Sequence, residues 1–413
     1  MIQIKAGRVI DANGVRENQV IVIEGDRISE VRDSSQTEAS AAEVIDGSSL
    51  TLMPGMIDCH VHFTGSVSGG IQKFAERFET RLIRSAVKEA KQLLDVGFTS
   101  VMDPGGLVGF HVRNAIDDGI VPGPKVYAAG RYIGVTGGHG DTHYLPLEWV
   151  KQGLPFGWGM DGRIADGPDE CLRAVREQLR EGVDFIKILT SGGGGSLRDP
   201  PNIPEYTYNE IRVMVEEAHT WGRRVMAHCY NPEAIRRSVS GGVDILAHCN
   251  MADEASVKLM REKGTFVVPT MSIYHSIHKR ASAGGSHPGQ GRVSSMYSTL
   301  FEDIRRLYDG GLTLALGTDT MGDPLPFGKN ALELQLYVEG VGLSPLEAVK
   351  IGTLNGAKVI GRDDLGTVEV GKVADLILLE KNPLDDIRCL QDADNTKLVI
   401  KGGKIVKGID DFI

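Results

Sequence analysis

Short apolar runs alternate with amphipathic segments through the middle of the chain. The runs are rich in Val, Ile and Leu, as expected of strands that are buried on both faces. Strands that alternate with helices along a sequence form parallel sheets. The pattern therefore favours an α/β fold of the (β/α)8 TIM-barrel type, with a doubly wound open sheet as the alternative. The eight runs are 55–63, 99–103, 125–133, 184–191, 223–230, 244–249, 265–271 and 313–319.

The segment 207–222 shows how the intervening helices are predicted to begin and end. Thr207 and Glu210 have the spacing of a capping box, and Gly222 stands where a left-handed residue would stop the helix. Between them, apolar residues recur at i, i+3, i+4 and i+7: Ile211, Met214, Val215 and Ala218.

Both ends of the chain read as short strands joined by tight turns. Asn13-Gly14 and Gly25-Asp26 are hairpin signals near the N-terminus, and Gly402-Gly403 is a similar signal near the C-terminus. Neither end has enough strands to bury a core by itself. We therefore predict one small β-sandwich domain made of residues 1–53 plus 368–413, beside a barrel domain of residues 54–367.

Glycine accounts for 52 of the 413 residues, and the usual share is about 7%. No Gly-X-Y period is present, so the excess indicates many tight turns and not a collagen. Some glycines lie in loops that follow apolar runs, and we expect the run 192–195 to be among the most mobile of them. Five others stand directly before an apolar run, as left-handed helix stops: Gly97, Gly222, Gly242, Gly264 and Gly311.

The net charge of the chain limits the kinds of partner that it can bind. The formal net charge is −10, and binding to nucleic acid or to an anionic membrane requires a basic face. No apolar run approaches the roughly 18 residues of a membrane span, and the N-terminus does not have the pattern of a signal peptide. Five cysteines without a CxxC pair suit a reducing compartment. We expect a cytoplasmic protein with no nucleic-acid or membrane partner.

Histidines stand at the ends of several runs. His60 and His62 form His-x-His, and the period of two puts both side chains on one face of a strand, as in a metal clip. Packing or surface positions are the alternative interpretation. His228 and His248 end the fifth and sixth runs, where a lone histidine is more often a core residue. Asp319 ends the eighth run, where an aspartate is usually a helix cap.

Lys187 is the most informative single residue. It lies between Ile186 and Ile188 inside the fourth run, and a buried, unpaired ammonium is costly. The alternative is a lysine that faces outward under a helix. A neutral amine in a metal-rich site can instead add carbon dioxide and become an anionic bridging ligand. The histidines, Lys187 and Asp319 share one location, the strand ends of a barrel, which favours a common function.

These residues lie in motifs that resemble the metal-dependent amidohydrolase superfamily. The resemblance is strongest to its branch of prolidase-like and N-acyl amino acid hydrolases, alongside relatives of imidazolonepropionase. Imidazolonepropionase resembles a single-metal pattern without the lysine, so Lys187 argues against that assignment. The motifs span nearly the whole chain: PGMIDCHVH (54–62), IKI around Lys187, MAHCY (226–230), ILAHC (245–249), LGTD (316–319) and GKVADLILL (371–379).

The resemblance implies a (β/α)8 barrel with a β-sandwich from both termini and two divalent metal ions. Zinc is the metal we expect, with Mn, Co or Ni as substitutes. Three side chains are implied to hold the first ion, two to hold the second, and a carboxylated lysine to bridge both: His60, His62 and Asp319, then His228 and His248, then Lys187.

The ligand set implies a reaction. A metal-bridging hydroxide attacks the carbonyl carbon of an amide, and Asp319 passes a proton to the leaving amine as the general base. His139, in the loop after the third run, is expected to hydrogen-bond the carbonyl oxygen, and the alternative is a flexible loop histidine. Tyr230 shares the inward face of His228, and the resemblance to prolidase-like enzymes implies that it contacts the substrate's carboxylate, with packing at the barrel rim as the alternative.

The predicted enzyme is thus a binuclear amidohydrolase of the dipeptidase, prolidase or carboxypeptidase type. It would cleave an amide bond next to a free carboxylate, in Xaa-Pro or other dipeptides or in N-acyl amino acids with an apolar C-terminal residue. Hydrolysis of a cyclic or other non-peptide amide is one alternative, and a non-catalytic structural relative is another. Relatives of this kind are often homo-oligomers, including octamers, so the resemblance implies a homo-oligomer.

Overall fold

A computed structural model describes most of the chain. The described residues are 1–35, 43–65, 78–143, 145–152, 162–195, 198–287 and 289–408.

Sixteen strands lie within the described residues. They are β1 (Ile2–Asp11), β2 (Gly14–Glu24), β3 (Arg27–Asp33), β4 (Glu43–Pro54), β5 (Met56–Asp58), β6 (Phe98–Asp103), β7 (Lys125–Ala128), β8 (Tyr132–Gly134), β9 (Gly162–Ile164), β10 (Ile186–Leu189), β11 (Val225–Cys229), β12 (Ile245–His248), β13 (Phe266–Val268), β14 (Leu376–Leu379), β15 (Thr396–Lys401) and β16 (Lys404–Lys407).

Fourteen α-helices accompany them in the described part of the chain. They are α1 (Phe78–Arg84), α2 (Ala90–Asp95), α3 (Leu107–Asp117), α4 (Leu147–Gln152), α5 (Pro168–Glu181), α6 (Tyr208–Thr220), α7 (Pro232–Ser240), α8 (Glu254–Lys263), α9 (Met271–Ser282), α10 (Gln290–Tyr297), α11 (Leu300–Asp309), α12 (Leu332–Glu339), α13 (Pro345–Lys350) and α14 (Gly356–Ile360). Single π-helical turns, Ser85–Glu89 and Ile351–Asn355, join α1 to α2 and α13 to α14, and Ile387–Gln391 is a 3₁₀ turn.

The two ends of the chain share one mixed sheet of seven strands, in the order β16-β15-β14-β4-β1-β2-β3. The hairpin β1–β2 closes with Asp11 opposite Gly14, at the turn that the sequence predicts. The N- and C-terminal parts meet where β4 runs antiparallel to β14, with Leu52 opposite Leu378. The exact domain boundaries stay a prediction, and residues 409–413 lie outside the described residues.

The apolar runs of the middle form the predicted barrel. β5, β6 and β7 pair in parallel, as do β10, β11, β12 and β13, and β8 pairs with β10 to continue the third run. The eighth run closes the circle through short bridges: Val267 pairs with Leu314, and Cys59 N–H donates to the Leu316 carbonyl at 2.8 Å. A closed circle excludes the open doubly wound sheet.

The helix signals of the sequence are confirmed. Thr207 caps α6 in a capping box with Glu210, whose side chain accepts from Thr207 N–H at 2.9 Å. Gly222 follows α6 with a φ of 66°, in the left-handed region that a side chain would strain. The other four predicted stops also have positive φ: Gly97, Gly242, Gly264 and Gly311. Among the described residues, the model has no helix whose length and apolarity would suit a membrane crossing.

Candidate metal centre

His60, His62 and Asp319 converge at the carboxyl ends of the barrel strands. The Nε2 atoms of His60 and His62 are 3.3 Å apart, and each lies 3.3 Å from Asp319 Oδ1. His60 is only 2% exposed. Burial drives the pKa of His60 well below its ordinary value, so this ring is neutral and offers a lone pair at neutral pH. Three such ligand atoms, one of them anionic, are a donor set for a divalent cation.

The observed spacing fits an ion. Ligands of a tetrahedral zinc ion with bonds of roughly 2.0–2.1 Å stand about 3.3 Å from each other. The other ring nitrogen of His62, Nδ1, donates to the Gly105 carbonyl at 2.9 Å, and this bond leaves Nε2 without a proton in the neutral ring. The structure therefore presents the correct nitrogen of His62 to the three-atom cluster.

Asp319 and His62 influence each other's charge. Burial raises the pKa of Asp319, but the hydrogen bond and charge of His62 outweigh it, and the resulting pKa lies below the ordinary value. Burial likewise lowers the pKa of His62, but the hydrogen bond and charge of Asp319 raise it above its ordinary value. Asp319 is therefore an ionised carboxylate at neutral pH, as both a ligand and a base must be.

His228 and His248 stand next to this cluster. Their ring centroids are 4.5 Å apart, and the His248 ring lies 5.6 Å from the His60 ring. Burial lowers the pKa of His248 to about 3 and that of His228 well below its usual value, so both rings are neutral. His228 Nε2 donates to the Gly192 carbonyl at 3.3 Å, and Nδ1 therefore remains as its ligand atom.

Lys187 lies on β10 among these groups and is 3% exposed. Its Nζ has no hydrogen-bond partner among the described residues. Burial lowers the pKa of Lys187 to about 7, although the charge of Asp319 opposes the shift. A buried amine that is partly neutral and has no partner is chemically suited to react with carbon dioxide. The environment thus fits the bridging role that the sequence suggests.

A buried carboxylate that the sequence analysis missed ties two of the ligand strands together. Asp58 accepts from His60 N–H at 3.0 Å and from the Thr318 hydroxyl at 2.7 Å. Asn330 donates to the same carboxylate at 2.8 Å. Asp58 therefore holds the backbone before His60 in register with the backbone before Asp319. Its place two residues before His60, on the same strand face, is the signal that could have revealed it.

A second buried carboxylate, that of Glu333, acts on His248 indirectly, through Thr270. Thr270 Oγ1 is 2.7 Å from His248 Nδ1, and Thr270 has a φ of 57° just before α9. Glu333 accepts the first two backbone N–H groups of α9, from Met271 at 2.9 Å and Ser272 at 2.7 Å. By satisfying these donors, Glu333 fixes the start of α9 and with it the position of Thr270.

We expect Glu333 to make stability depend on pH. Burial raises its pKa to about 8 from an ordinary 4.5. Between these values the folded protein holds a proton that the unfolded chain has lost, so stability falls as pH rises from about 4.5 to about 8. The Glu333→Gln variant has no carboxyl group to titrate at this position. Urea unfolding should therefore show that the free energy of unfolding of the wild type falls, relative to that of the variant, as pH rises across that interval. Glu347→Gln, at an exposed helix start, is the control, and a constant difference between Glu333→Gln and the wild type would contradict the assignment.

The five histidine and aspartate ligand candidates and Lys187 line a cavity of about 380 Å³. Segments that follow the first, second, third, fourth, seventh and eighth apolar runs supply its other walls, as expected of the active-site face of such a barrel. A larger groove of about 760 Å³ on the outer surface between α8 and α11 contains none of these residues. The apolar part of the cavity wall is formed by Leu189, Ile273, Ile277, Val293 and Met321.

His139 and Tyr230, the two predicted substrate contacts, both line this cavity. The His139 ring stacks on the His228 ring with 4.2 Å between centroids, and the Tyr230 ring stacks on the His248 ring at 4.8 Å. The hydroxyls of Tyr230 and Tyr274 share a hydrogen bond. Tyr274, on α9, was not identified from the sequence, because its helix belongs to a long loop region whose position a strand pattern does not give.

Two residues of the glycine run 192–195 donate backbone hydrogen bonds to the segment that follows the run. Gly193 N–H donates to the Asp199 carbonyl at 2.9 Å, and Gly192 N–H donates to the Ile203 carbonyl at 3.0 Å. The start of α10 lies directly on this run: a Cβ on Gly289 would meet the Gly194 carbonyl oxygen at 2.5 Å. Close backbone packing accounts for glycine at 192 and 289, where a Cβ would come within 2.5 Å of a backbone oxygen.

The family follows from comparison with known proteins. A sequence model of the amidohydrolase family matches residues 51–406. The chain belongs to the amidohydrolase family. Membership indicates a metal-dependent hydrolase of amide bonds, in agreement with the donor set at the strand ends.

Relatives of this amidohydrolase include an ochratoxinase of Aspergillus niger. The two are 36% identical over 369 residues, which cover 86% of this chain and 76% of the relative. A solved Xaa-Pro dipeptidase with bound methionine is 31% identical with a TM-score of 0.89, covering 98% of this chain and 100% of that one. A prolidase complexed with N-methylphosphonate-L-proline is 33% identical with a TM-score of 0.89, covering 98% and 99%.

Proposed function

We propose that this amidohydrolase is a binuclear metal-dependent enzyme. It would hydrolyse an amide bond next to a free carboxylate, in dipeptides such as Xaa-Pro or in N-acyl amino acids with an apolar C-terminal residue. The observation that carries the proposal is the convergence of two histidines and a carboxylate at 3.3 Å, beside two further neutral histidines and an unpartnered buried lysine. In this proposal, carboxylated Lys187 supplies the anionic bridge between the two halves of the site.

The donor set determines the chemistry. Two bound divalent ions would keep a water ionised near neutral pH and polarise the scissile carbonyl. Zinc suits mixed imidazole and carboxylate ligands, and Mn, Co or Ni can substitute. Asp319 is the ionised carboxylate at the centre of the cavity and would accept a proton and deliver it to the leaving amine. His139, at the cavity wall, would orient the scissile amide.

The substrate class rests on the walls of the cavity. Its aliphatic side chains, Ile273 and Ile277 among them, favour an apolar residue, and a volume of about 380 Å³ suits a dipeptide-sized molecule. Burial raises the pKa of Tyr230, so its hydroxyl keeps its proton and can donate to a carboxylate. The prolidase and Xaa-Pro dipeptidase relatives support this class, and the ochratoxinase relative supports a broader range of amides.

Metal removal tests the proposal directly. Dialysis against a chelator should abolish hydrolysis of Xaa-Pro, Xaa-Leu and N-acyl-Phe substrates, and addition of Zn²⁺ or Mn²⁺ should restore it. Elemental analysis should find two ions per chain in the restored enzyme. Full activity in the metal-free protein would contradict the proposal, and one ion per chain at full activity would contradict its binuclear form.

The Tyr230→Phe variant should bind carboxylate-bearing substrates more weakly. A hydrogen bond to a charged group contributes roughly 1.5 kcal/mol or more, so we expect KM to rise about 10-fold with little change in kcat. A substrate in which the carboxylate is replaced by a neutral amide should show no such difference. Tyr308→Phe, which removes a hydroxyl bonded to Glu347 on the outer surface, is the control. Equal KM values for the wild type and Tyr230→Phe would rule out this contact.

The same assays also test two alternative functions. Lactams and cyclic imides belong in the substrate panel, because a cyclic amide would fit the same metal chemistry. A non-catalytic relative would bind less than one metal ion per chain and hydrolyse none of the panel.

We also infer that the protein is a cytoplasmic homo-oligomer, with an octamer as one form, and that it has no nucleic-acid or membrane partner. All five cysteines are free and buried, which suits a reducing compartment. The net charge of −10 disfavours anionic partners. Light scattering on the purified protein tests the oligomer, and a monomer at working concentration would overturn that part.

A further inference from the structure

A buried aspartate contacts the Nδ1 edge of the His139 ring. Asp199 is 4% exposed and lies in the loop after β10. Its Oδ2 is 3.0 Å from His139 Nδ1, and the same oxygen accepts from Gly193 N–H at 3.0 Å. The sequence offers no signal that Asp199 contacts His139, because the two residues are far apart along the chain and only the fold of the barrel brings them together.

The rest of His139 is fixed from the same loop. Glu205 Oε1 accepts from the backbone N–H of His139 at 2.7 Å. One face of the ring lies against His228, with an interplanar angle of 17°. With one face and the Nδ1 edge both in contact, the ring is held in one orientation, with Nε2 on the edge away from Asp199.

The contact also fixes the tautomer of the ring. Asp199 Oδ2 already accepts from Gly193 N–H, and as an acceptor toward His139 as well it would place the proton between the two groups on His139 Nδ1. In the proposed function, Nε2 is the nitrogen that contacts the substrate: it would accept from an amide N–H in a neutral ring and donate to a carbonyl oxygen in a charged ring. In either state, the position of Asp199 determines where Nε2 lies.

We propose that Asp199 is a positioning residue, which holds the His139 imidazole in the orientation and tautomer that contact the scissile amide. The inference rests on the proposed function, because it gives His139 a substrate to contact. A purely structural role is the competing explanation, since Asp199 also holds the glycine run through Gly193.

A double-mutant cycle separates the two explanations. Asp199→Ala should lower kcat by about 10–100-fold, the usual effect of losing a group that orients an active-site histidine, with KM close to the wild-type value. In a His139→Ala background, the same change should cause no further loss. An equal loss in both backgrounds, or an unchanged kcat in Asp199→Ala alone, would overturn the proposal. Asp199→Asn replaces Asp199→Ala in the cycle if the alanine variant does not fold.

The protein offers a matched control. Asp244 also holds one histidine and one backbone N–H, accepting from His219 Nε2 and from Val225 N at 2.8 Å each. This pair lies on the helix-covered side of the barrel and does not line the cavity. Asp244→Ala should therefore leave kcat unchanged. A loss equal to that of Asp199→Ala would show that any such aspartate affects the barrel as a whole.

A second measurement does not depend on hydrolysis. In the full-length zinc-loaded protein with ¹⁵N-labelled histidine, the ring shifts of His139, assigned with the His139→Ala variant, should show the proton on Nδ1. Asp199→Ala should remove this preference. If no substrate is cleaved but the tautomer changes as expected, the proposed function fails and the positioning role of Asp199 stands. A wild-type proton on Nε2, or a tautomer that Asp199→Ala leaves unchanged, would overturn the role.

Discussion

Asp319→Asn is expected to lower kcat by about 10²–10⁴-fold, the range that general acid–base catalysis contributes. Asparagine has nearly the same shape, and its amide oxygen can still lie beside His60 and His62. The amide cannot accept a proton from the attacking water or pass one to the leaving amine. The loss should therefore appear in turnover more than in metal content, because two of the three ligands in this cluster are unchanged.

Steady-state kinetics with parallel metal analysis measure both quantities. Asp323→Asn is the control, because Asp323 pairs with Arg280 at the exposed rim and does not line the cavity. We expect that variant to keep the wild-type kcat. An Asp319→Asn enzyme with wild-type kcat would exclude Asp319 as the base, and a variant that loses both ions would reassign its effect to metal binding.

Lys187→Ala is expected to reduce turnover to the level of the metal-free protein. The change removes the only side chain that is proposed to carry an anionic bridge between the two groups of histidines. Two neighbouring cations without that bridge would repel each other across a buried site. Metal analysis should show the loss of at least one ion per chain. Lys125→Ala, which removes a lysine of β7 that pairs with Asp117 of α3, should have no effect.

Carboxylation of Lys187 can be tested apart from the variant. Metal-free protein reconstituted with Zn²⁺ in buffer depleted of carbon dioxide should regain little activity, and bicarbonate should restore the remainder. Native mass spectrometry of the active form should find the added mass of one carbon dioxide, which Lys187→Arg should lack. Full reconstitution without carbon dioxide or bicarbonate would contradict the bridge, whatever the activity of the alanine variant.

The barrel was predictable because local patterns and tertiary contacts agree there. The eight apolar runs, the capping box at Thr207 and the glycine stops are each set by neighbours along the chain. The prediction was less accurate where a segment bonds to a residue that is distant in the sequence. Residues 366–370 (GTVEV) have the β-branched composition of a strand, but Val368 N–H donates to the Asp11 carboxylate at 3.0 Å and the segment does not join the sheet. A side chain from the other end of the sequence provides the partner there.

The residues of the candidate site also differ in how well the sequence predicts them. Lys187 lies within β10, and the other five candidate ligands stand at or just beyond the carboxyl ends of barrel strands. A period of two fixes the direction of a side chain on a strand, so the sequence could bring the six together. Asp199 and Tyr274 reach the cavity from loops or from a helix inside a loop region, whose path depends on packing. The mobility of residues 192–195 stays a prediction, and composition alone does not show that Gly289 packs against this run.

The pairing of β4 with β14 has a consequence for how the protein is made. Glu43–Pro54 leaves the ribosome long before Leu376–Leu379, by on the order of tens of seconds at usual synthesis rates. During that interval the edge of β4 that will pair with β14, whose last four residues are buried in the finished sheet, is available to other nascent chains. The terminal sheet can be completed only when translation is almost finished. The yield of soluble protein should therefore depend more on how well chaperones shield the early strands than on the folding of the barrel.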